Sequence, residues 1–283
     1  MGIIDLVRVE PAYEPPKLTK DGRLRAPRFK LMHRRAGWRI PMLFQAGFFG
    51  LACWVTKRQY DRFTYVTPQQ KFLQRLEVAP YGVLGTKMKG SGTLTQIGAP
   101  PDADTCIVDP AGLQYIKNGT KGAGGASASI YKFIGLSGAF PEDVSGAIFR
   151  ATDAKFHAYK GGEHKVVHVV GPDFRDGTWS KREAALELSR AYRNVLHEWV
   201  LSETKTLRLL PISSGIFAGT LSDELTPLTH EAICVGFEQL HPFDQQACIA
   251  EDRRVELCIF NEGEYPKYVT AFDHLTPPNP VIT

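Results

Sequence analysis

Four short apolar runs constrain this chain most: TCIVDP (105–110), KVVHVVGP (165–172), TLRLLPIS (206–213) and VELCIF (255–260). Each is rich in Val, Ile and Leu, bounded by polar or turn residues, and too short for a helix of useful length. Each reads as a strand buried on both faces. Helical patterns lie between them. In SKREAALELSRAYRNVLHEWV, Ser180 and Glu183 stand in capping-box relation, and Ala184, Leu188, Ala191, Tyr192, Val195, Leu196 and Trp199 share one face. LTPLTHEAICVGFEQL (225–240) predicts a second helix. Strands apolar on both sides need cover on both sides, so the alternation predicts a three-layer α/β/α domain over residues 91–275. Its central sheet would be mixed but largely parallel.

The 283 residues, 43% hydrophobic and 23% charged, suffice for one sizeable core or two small domains. The net charge of +4 is concentrated: nine cations (Lys17, Lys20, Arg23, Arg25, Arg28, Lys30, Arg34, Arg35, Arg39) face one acid, Asp21, in a single segment. The rest of the chain is slightly acidic, which argues against a nucleic-acid-binding face on the domain. Five scattered cysteines without a CxxC pair predict neither a disulfide framework nor a structural zinc site, but reduced thiols in a core. His164 and His168 share a strand face without a third ligand nearby, and His168 reads as a packed strand residue. Asn118-Gly119-Thr120 is a glycosylation sequon that matters only in a secretory compartment.

Upstream, residues 1–37 read as an extended basic arm punctuated by Pro11, Pro15, Pro16 and Pro27. Residues 38–55, WRIPMLFQAGFFGLACWV, follow without a charge from Ile40 to Val55. Sixteen such residues reach about 24 Å as a helix. Trp38 and Trp54 sit near the ends, cations flank both sides, and Ala46 and Gly50 would let another helix approach. This predicts one transmembrane helix, with a buried or amphipathic helix as the alternative. The long charged arm before it is unlike a secretory signal peptide. The cation bias places the arm on the cytoplasm-like side; in a mitochondrial inner membrane the C-terminal domain would then face the intermembrane space. Residues 56–90 read as a connector containing a short helix in QQKFLQRLEV and a linker in APYGVLGTKMKGSG, and residues 276–283 as a tail.

KGAGGASASIYKFIG (121–135) has the composition of a loop that lets backbone approach a phosphate and then opens a helix. It completes neither GxGxxG nor GK[ST], so dinucleotide-fold and P-loop readings fail. In order along the chain, CIVDPAG (106–112), GGASASIYKFIG (124–135), VVHVVGPDF (166–174), LLPISSGIFAG (209–219) and VELCIFNEGEYPKYVTAF (255–272) resemble the corresponding pieces of the macro domain, the ADP-ribose-binding module. The resemblance covers about two-thirds of the chain. It implies a possible ligand of ADP-ribose or a related nucleotide, with no metal and no other cofactor. It places Gly122, Gly124, Gly125 and Ala126 in a first phosphate loop and Ser213, Ser214, Gly215, Ile216 and Phe217 in a second, with Phe217 bordering a ribose.

The departures from that pattern matter equally. Gly112 stands where the family carries the Asn that orients the distal ribose or catalytic water. Asp109 occupies the neighbouring Asn position, and Pro110 lacks a backbone donor. Gln96 is nearest to the expected adenine-side acid, with Asp102 and Asp104 able to substitute only through a rearranged loop; Ala126 and Ser127 also depart from the first loop's pattern. Without the orienting amide, hydrolysis loses positioning, so no catalytic residue is assigned. Two functions remain open from the sequence. One is a non-catalytic accessory subunit of a membrane complex, in the respiratory chain or ATP synthase, with other subunits and the bilayer as partners and no nucleic acid. The other is a membrane-tethered ADP-ribose reader or hydrolase.

Overall fold

A computed structural model describes residues 66–88, 93–177 and 179–273. The apolar stretch 38–55, its basic arm and the tail lie outside the described residues. Among the described residues no helix is long and apolar enough to cross a membrane.

Helix α1 (Pro68–Leu73) starts at Thr67, whose hydroxyl and the Gln70 amide cap each other's backbone. Strand β1 (Leu76–Ala79) follows, then the antiparallel pair β2 (Thr86–Met88) and β3 (Leu94–Gln96). Next come β4 (Thr105–Pro110), α2 (Leu113–Asn118), α3 (Gly125–Ile134), α4 (Glu142–Ser145), β5 (Ala154–Tyr159) and β6 (His164–Val169). The long α5 (Lys181–Leu201), β7 (Thr206–Leu209), a 3-10 segment (Gly215–Glu224), α6 (Leu225–Glu238), α7 (Pro242–Cys248), β8 (Arg254–Cys258) and α8 (Tyr265–Asp273) complete the described chain.

The main sheet has the order β1-β8-β7-β4-β6-β5, parallel throughout except that β5 runs antiparallel to β6. The four predicted strands are its four central ones. The two edges carry weaker patterns. β5 is half-buried along most of its length, and β1 falls inside the stretch expected to be a connector. The folded unit therefore begins upstream of residue 91: Leu76 to Ala79 add a parallel edge strand to β8, and Phe72 stacks on Phe237 of α6 at 4.4 Å. A strand of only four residues, between Arg75 and Pro80, gives too little periodicity to be distinguished from a linker.

Strand alternation divides the core in two. Cys106, Val108, Val167, Val169, Leu207, Leu209, Val255 and Leu257 pack with α5, α6 and Tyr268 of α8 on one face. Ile107, Val166, Ala79 and Cys258 pack with Ile116, Ile130, Ile134 and Val144 on the other. The result is the expected three-layer, mixed and mostly parallel arrangement. Helix α5 begins with the predicted capping box and buries every residue assigned to its apolar face. Four cysteines, Cys106, Cys234, Cys248 and Cys258, are free and buried, as the core-thiol reading expects.

Candidate functional site

A cleft of about 560 Å³ opens where the carboxyl ends of β1, β8, β7 and β4 meet their following loops. Ligand sites of parallel α/β sheets lie at such edges, and the volume suits a small organic ligand. The strand order lays out its walls. After β1 come Gly82, Val83 and Leu84, joined by Met88 and Leu94 of the β2–β3 pair. After β8 come Ile259, Phe260, Asn261 and Glu264; after β7, Pro211, Ser214 and Gly215. Gly125, Ala126 and Ser129 of the first turns of α3 lie at the β4 end.

Two chain turns at one side of this cleft present backbone donors. Helix α3 starts at Gly124 and the 3-10 segment at Ser214, and neither start has a side-chain cap. The first N–H groups of a helix have no partner within it, so both ends carry positive potential suited to an anion. Gly125 and Gly215 adopt φ of +58° and +65°, where a side chain would be strained. Among the described lining residues the only charged side chain is Glu264, and no lysine or arginine contributes. Phosphate here would be held by amides.

The second loop is fixed from behind. Ile212 N–H donates to Tyr192 Oη at 2.9 Å, Ser213 Oγ donates to the Pro172 carbonyl at 2.6 Å, and Phe174 N–H donates to the Phe217 carbonyl at 2.9 Å. Ser213 itself sits at φ +60°, a sparsely populated conformation held by these bonds. Gly171 permits the close approach: a Cβ there would meet Ser213 Oγ at 2.5 Å.

The first loop is anchored by buried polar groups. Asp109, fully buried in β4, accepts from Ser127 Oγ at 2.6 Å and meets His168 Nδ1 at 2.8 Å. His168 Nε2 meets Tyr159 Oη at 2.8 Å. Burial pushes the Tyr159 hydroxyl well above the usual phenol range, so it stays a neutral hydroxyl facing Nε2. The Asp109 carboxylate can only accept, so His168 donates to it from Nδ1. Ser127 is the third residue of α3, so this network fixes the first turn against β4. The two departures Asp109 and Ser127 are partners in the structure, and His168 is packed and bonded as a strand residue. Among the described residues no group of three or more metal-ligating side chains gathers.

The opposite wall is pinned by a buried ion pair. Arg208 of β7 donates from Nε to Glu256 Oε2 of β8 at 2.7 Å and from Nη1 to the Ala99 carbonyl at 2.8 Å and that of Val83 at 3.4 Å. Tyr81 lies 5.4 Å from the guanidinium and donates to the same carboxylate at 3.3 Å. Gln96 uses its side-chain amide on the Leu84 and Gly98 carbonyls, at 3.1 and 2.6 Å. It therefore braces the wall and does not line the cleft. Asp102 is occupied by the Thr105 hydroxyl, which is the main cause of its lowered pKa, and Asp104 pairs with Lys205 at 3.1 Å. Neither lines the cleft.

Of the sequence-predicted residues, Gly125, Ala126, Ser214 and Gly215 come together there. Gly122 and Gly124 lie exposed upstream, Ser213 is buried behind, and Ile216 points outward at 74% exposure. The Phe217 ring sits under the Arg175 guanidinium at 4.9 Å and is not part of the cleft lining. Sequence reasoning missed Phe260, Asn261, Glu264 and the Val83–Leu94 wall. The signal for Phe260 was its place just past a buried strand, with 38% of its surface exposed.

Fold and cleft together define an α/β domain with two amide-presenting loops. No protein-family model and no curated protein sequence matches the chain. Solved structures do. The Trypanosoma brucei macrodomain in complex with ADP-ribose is 16% identical, covering 72% of each chain, with a TM-score of 0.43. The Oceanobacillus iheyensis macrodomain with ADP is 16% identical over 69% of this chain and 88% of that one, at 0.45. The alphavirus P23pro-zbd is 20% identical over 63% of this chain and 24% of that one, at 0.43, so this chain spans about a quarter of that protein. These likenesses include the family that the two loops resemble. At such identities and TM-scores they carry no argument about ligand or activity, which rests on the cleft.

Proposed function

We propose that this domain binds a phosphate-bearing nucleotide of the ADP-ribose class without processing it. The convergence of two uncapped helical starts on one apolar cleft carries the reading. Phosphate oxygens would accept from the first-turn amides at Gly125, Ala126 and Gly215. A planar base would lie against Phe260, Met88 and Leu94, with Glu264 as an acceptor at the rim. Gly112 offers no side chain to orient an attacking water. The test is titration calorimetry of the full chain with ADP-ribose, ADP and AMP, beside an Ala126→Glu variant. Ala126 is exposed in the first turn of α3, where a carboxylate favours the helix by roughly 0.3–1 kcal/mol. The variant stays folded and places a competing anion at the site. Binding by the native chain that Ala126→Glu abolishes supports the reading; no heat with any nucleotide from a folded chain refutes it.

We also propose, from residues 17–55 of the sequence, that the chain is tethered to a membrane as a non-catalytic accessory subunit of a larger complex. The mitochondrial inner membrane is the proposed address, with the domain in the intermembrane space. The charge-free stretch from Ile40 to Val55, with Trp38 and Trp54 near its ends, supports it. Extraction at alkaline pH tests it: the chain should stay with the membranes and a chain lacking residues 38–55 should not. Release of the intact chain would count against the tether.

A further inference from the structure

One wall of the cleft stands outside the main sheet. Among the described residues β2 and β3 pair only with each other, whereas the segments after β8, β7 and β4 extend strands of the six-stranded sheet. A two-stranded pair is marginal in water by itself. Met88 and Leu94, opposite each other in the ladder and both in the cleft lining, still expose 47% and 54% of their surfaces. Apolar packing therefore holds this wall weakly. Its two roots are fixed by the buried Arg208, through the Val83 and Ala99 carbonyls. Beyond the roots, Lys87 Nζ meets Glu262 Oε1 at 3.0 Å. Strand alternation sets Thr86 and Met88 toward the cleft and Lys87 on the other face of β2. Glu262 lies in the loop after β8, between the lining residues Asn261 and Glu264. The ion pair does not line the cleft, but it joins two segments that do.

We infer that Lys87 and Glu262 are positioning residues: their ion pair holds the β2–β3 wall against the loop after β8 and so sets the width of the cleft. The inference rests on the nucleotide reading for its ligand but not for its geometry. Thr86, Met88 and Leu94 bring no charge into the cleft, yet the position of their wall answers to ionic strength. Glu262 is 76% exposed, so salt screens its bond to Lys87, while the buried Arg208 contacts at the roots are screened far less. With little apolar packing behind Met88 and Leu94, loosening the pair reaches the lining directly.

The experiment compares the native full chain with Lys87→Met, Glu262→Gln and the double variant. Amide hydrogen exchange is followed without ligand, and ADP-ribose binding by calorimetry. Both are measured at ionic strengths of about 0.01 M and about 1 M, where the Debye length falls from about 30 to about 3 Å. At low salt each single variant should speed exchange at residues 86–88 and 94–96 about threefold and weaken ADP-ribose binding about threefold, as loss of a largely exposed pair allows. The double variant should go no further than either single one, because the pair is lost only once. At high salt all four chains should converge, with exchange in the six-stranded sheet native throughout. Native exchange of this wall in both single variants overturns the inference, as do additive effects in the double variant or differences that survive high salt. The expected exchange with unchanged ADP-ribose affinity overturns the positioning role. The expected exchange in a chain that binds no nucleotide upholds the hold on the wall and refutes the nucleotide reading alone.

Discussion

Replacing Arg208 by methionine tests whether the buried ion pair holds the far wall of the cleft. Arg208 and Glu256 expose 5% and 7% of their surfaces, so the substitution leaves a carboxylate in a nearly closed site. Breaking such a pair costs about 3–5 kcal/mol, because the remaining charge is desolvated without compensation. Here Glu256 keeps the Tyr81 hydroxyl at 3.3 Å and the Arg254 guanidinium at 3.4 Å. The Arg254 side chain is 66% exposed and contributes little, which places the expected loss near the low end, about 3 kcal/mol. Removing the charge as well, in Arg208→Met with Glu256→Leu, should recover stability to within about 1 kcal/mol of the native chain, since an apolar pair of similar volume replaces a buried ionic one at little net cost. Urea midpoints at constant slope measure both. The double variant separates stability from positioning. It lacks the guanidinium bonds to the Val83 and Ala99 carbonyls, so it should bind nucleotide about tenfold more weakly although folded. A single variant within 1 kcal/mol of native, or a double variant no more stable than the single, would refute the reasoning.

Asp109→Asn puts an NH2 donor where only acceptors now stand, so Ser127 must turn its hydroxyl away to accept from it, onto the poorer Pro110 carbonyl contact at 3.4 Å, or His168 must lose its Nδ1 acceptor; thermal denaturation should show a loss of about 1–3 kcal/mol, and an unchanged midpoint would contradict the network. Ser180→Ala removes one half of the α5 capping box and should cost about 1 kcal/mol, with faster amide exchange confined to the first turn of that helix. Burial raises the thiol pKa of Cys234 to about 11 and those of Cys106 and Cys248 to about 12, and pushes Cys258 higher still. At pH 8 the thiolate fraction of each is roughly one part in a thousand or less. A Cys53→Ser chain should therefore react with Ellman's reagent only on unfolding, and rapid stoichiometric labelling of the native chain would show that a core thiol is exposed.

What the residues made legible follows from how strongly each element is buried. The central strands announce themselves because both faces are covered, so Cys106, Ile107 and Val108 are all apolar although they point to different layers. α5 announces itself because a 21-residue helix repeats its apolar stripe several times and is capped at a diagnosable serine. β1 and β5 do not, since an edge strand has partners on one side and needs only every second side chain. The β2–β3 pair has three residues per strand, below the length at which alternation can be counted. The site divides in the same way. Two of its turns were visible because Gly125 and Gly215, glycines at positive φ, meet a backbone requirement written directly in the sequence. Its apolar wall was not, because Val83, Met88, Leu94 and Phe260 become neighbours only when β1 and β8 pair.

The departures from the expected loop pattern show why a residue-by-residue comparison with a family is an insecure guide to a site whose donors are backbone amides. Asp109 and Ser127 look like losses when each position is considered alone. In the fold they bond to each other, His168 completes the carboxylate's partners, and Tyr159 completes the histidine's. The first turn of α3 is thereby held beside the cleft by side chains that do not line it. Gln96 works likewise: its amide ties the Leu84 and Gly98 carbonyls and so supports that wall of the cleft. What such substitutions cannot replace is a side chain that must reach the ligand itself. Gly112 has none, and Tyr115 fills part of the space beside it.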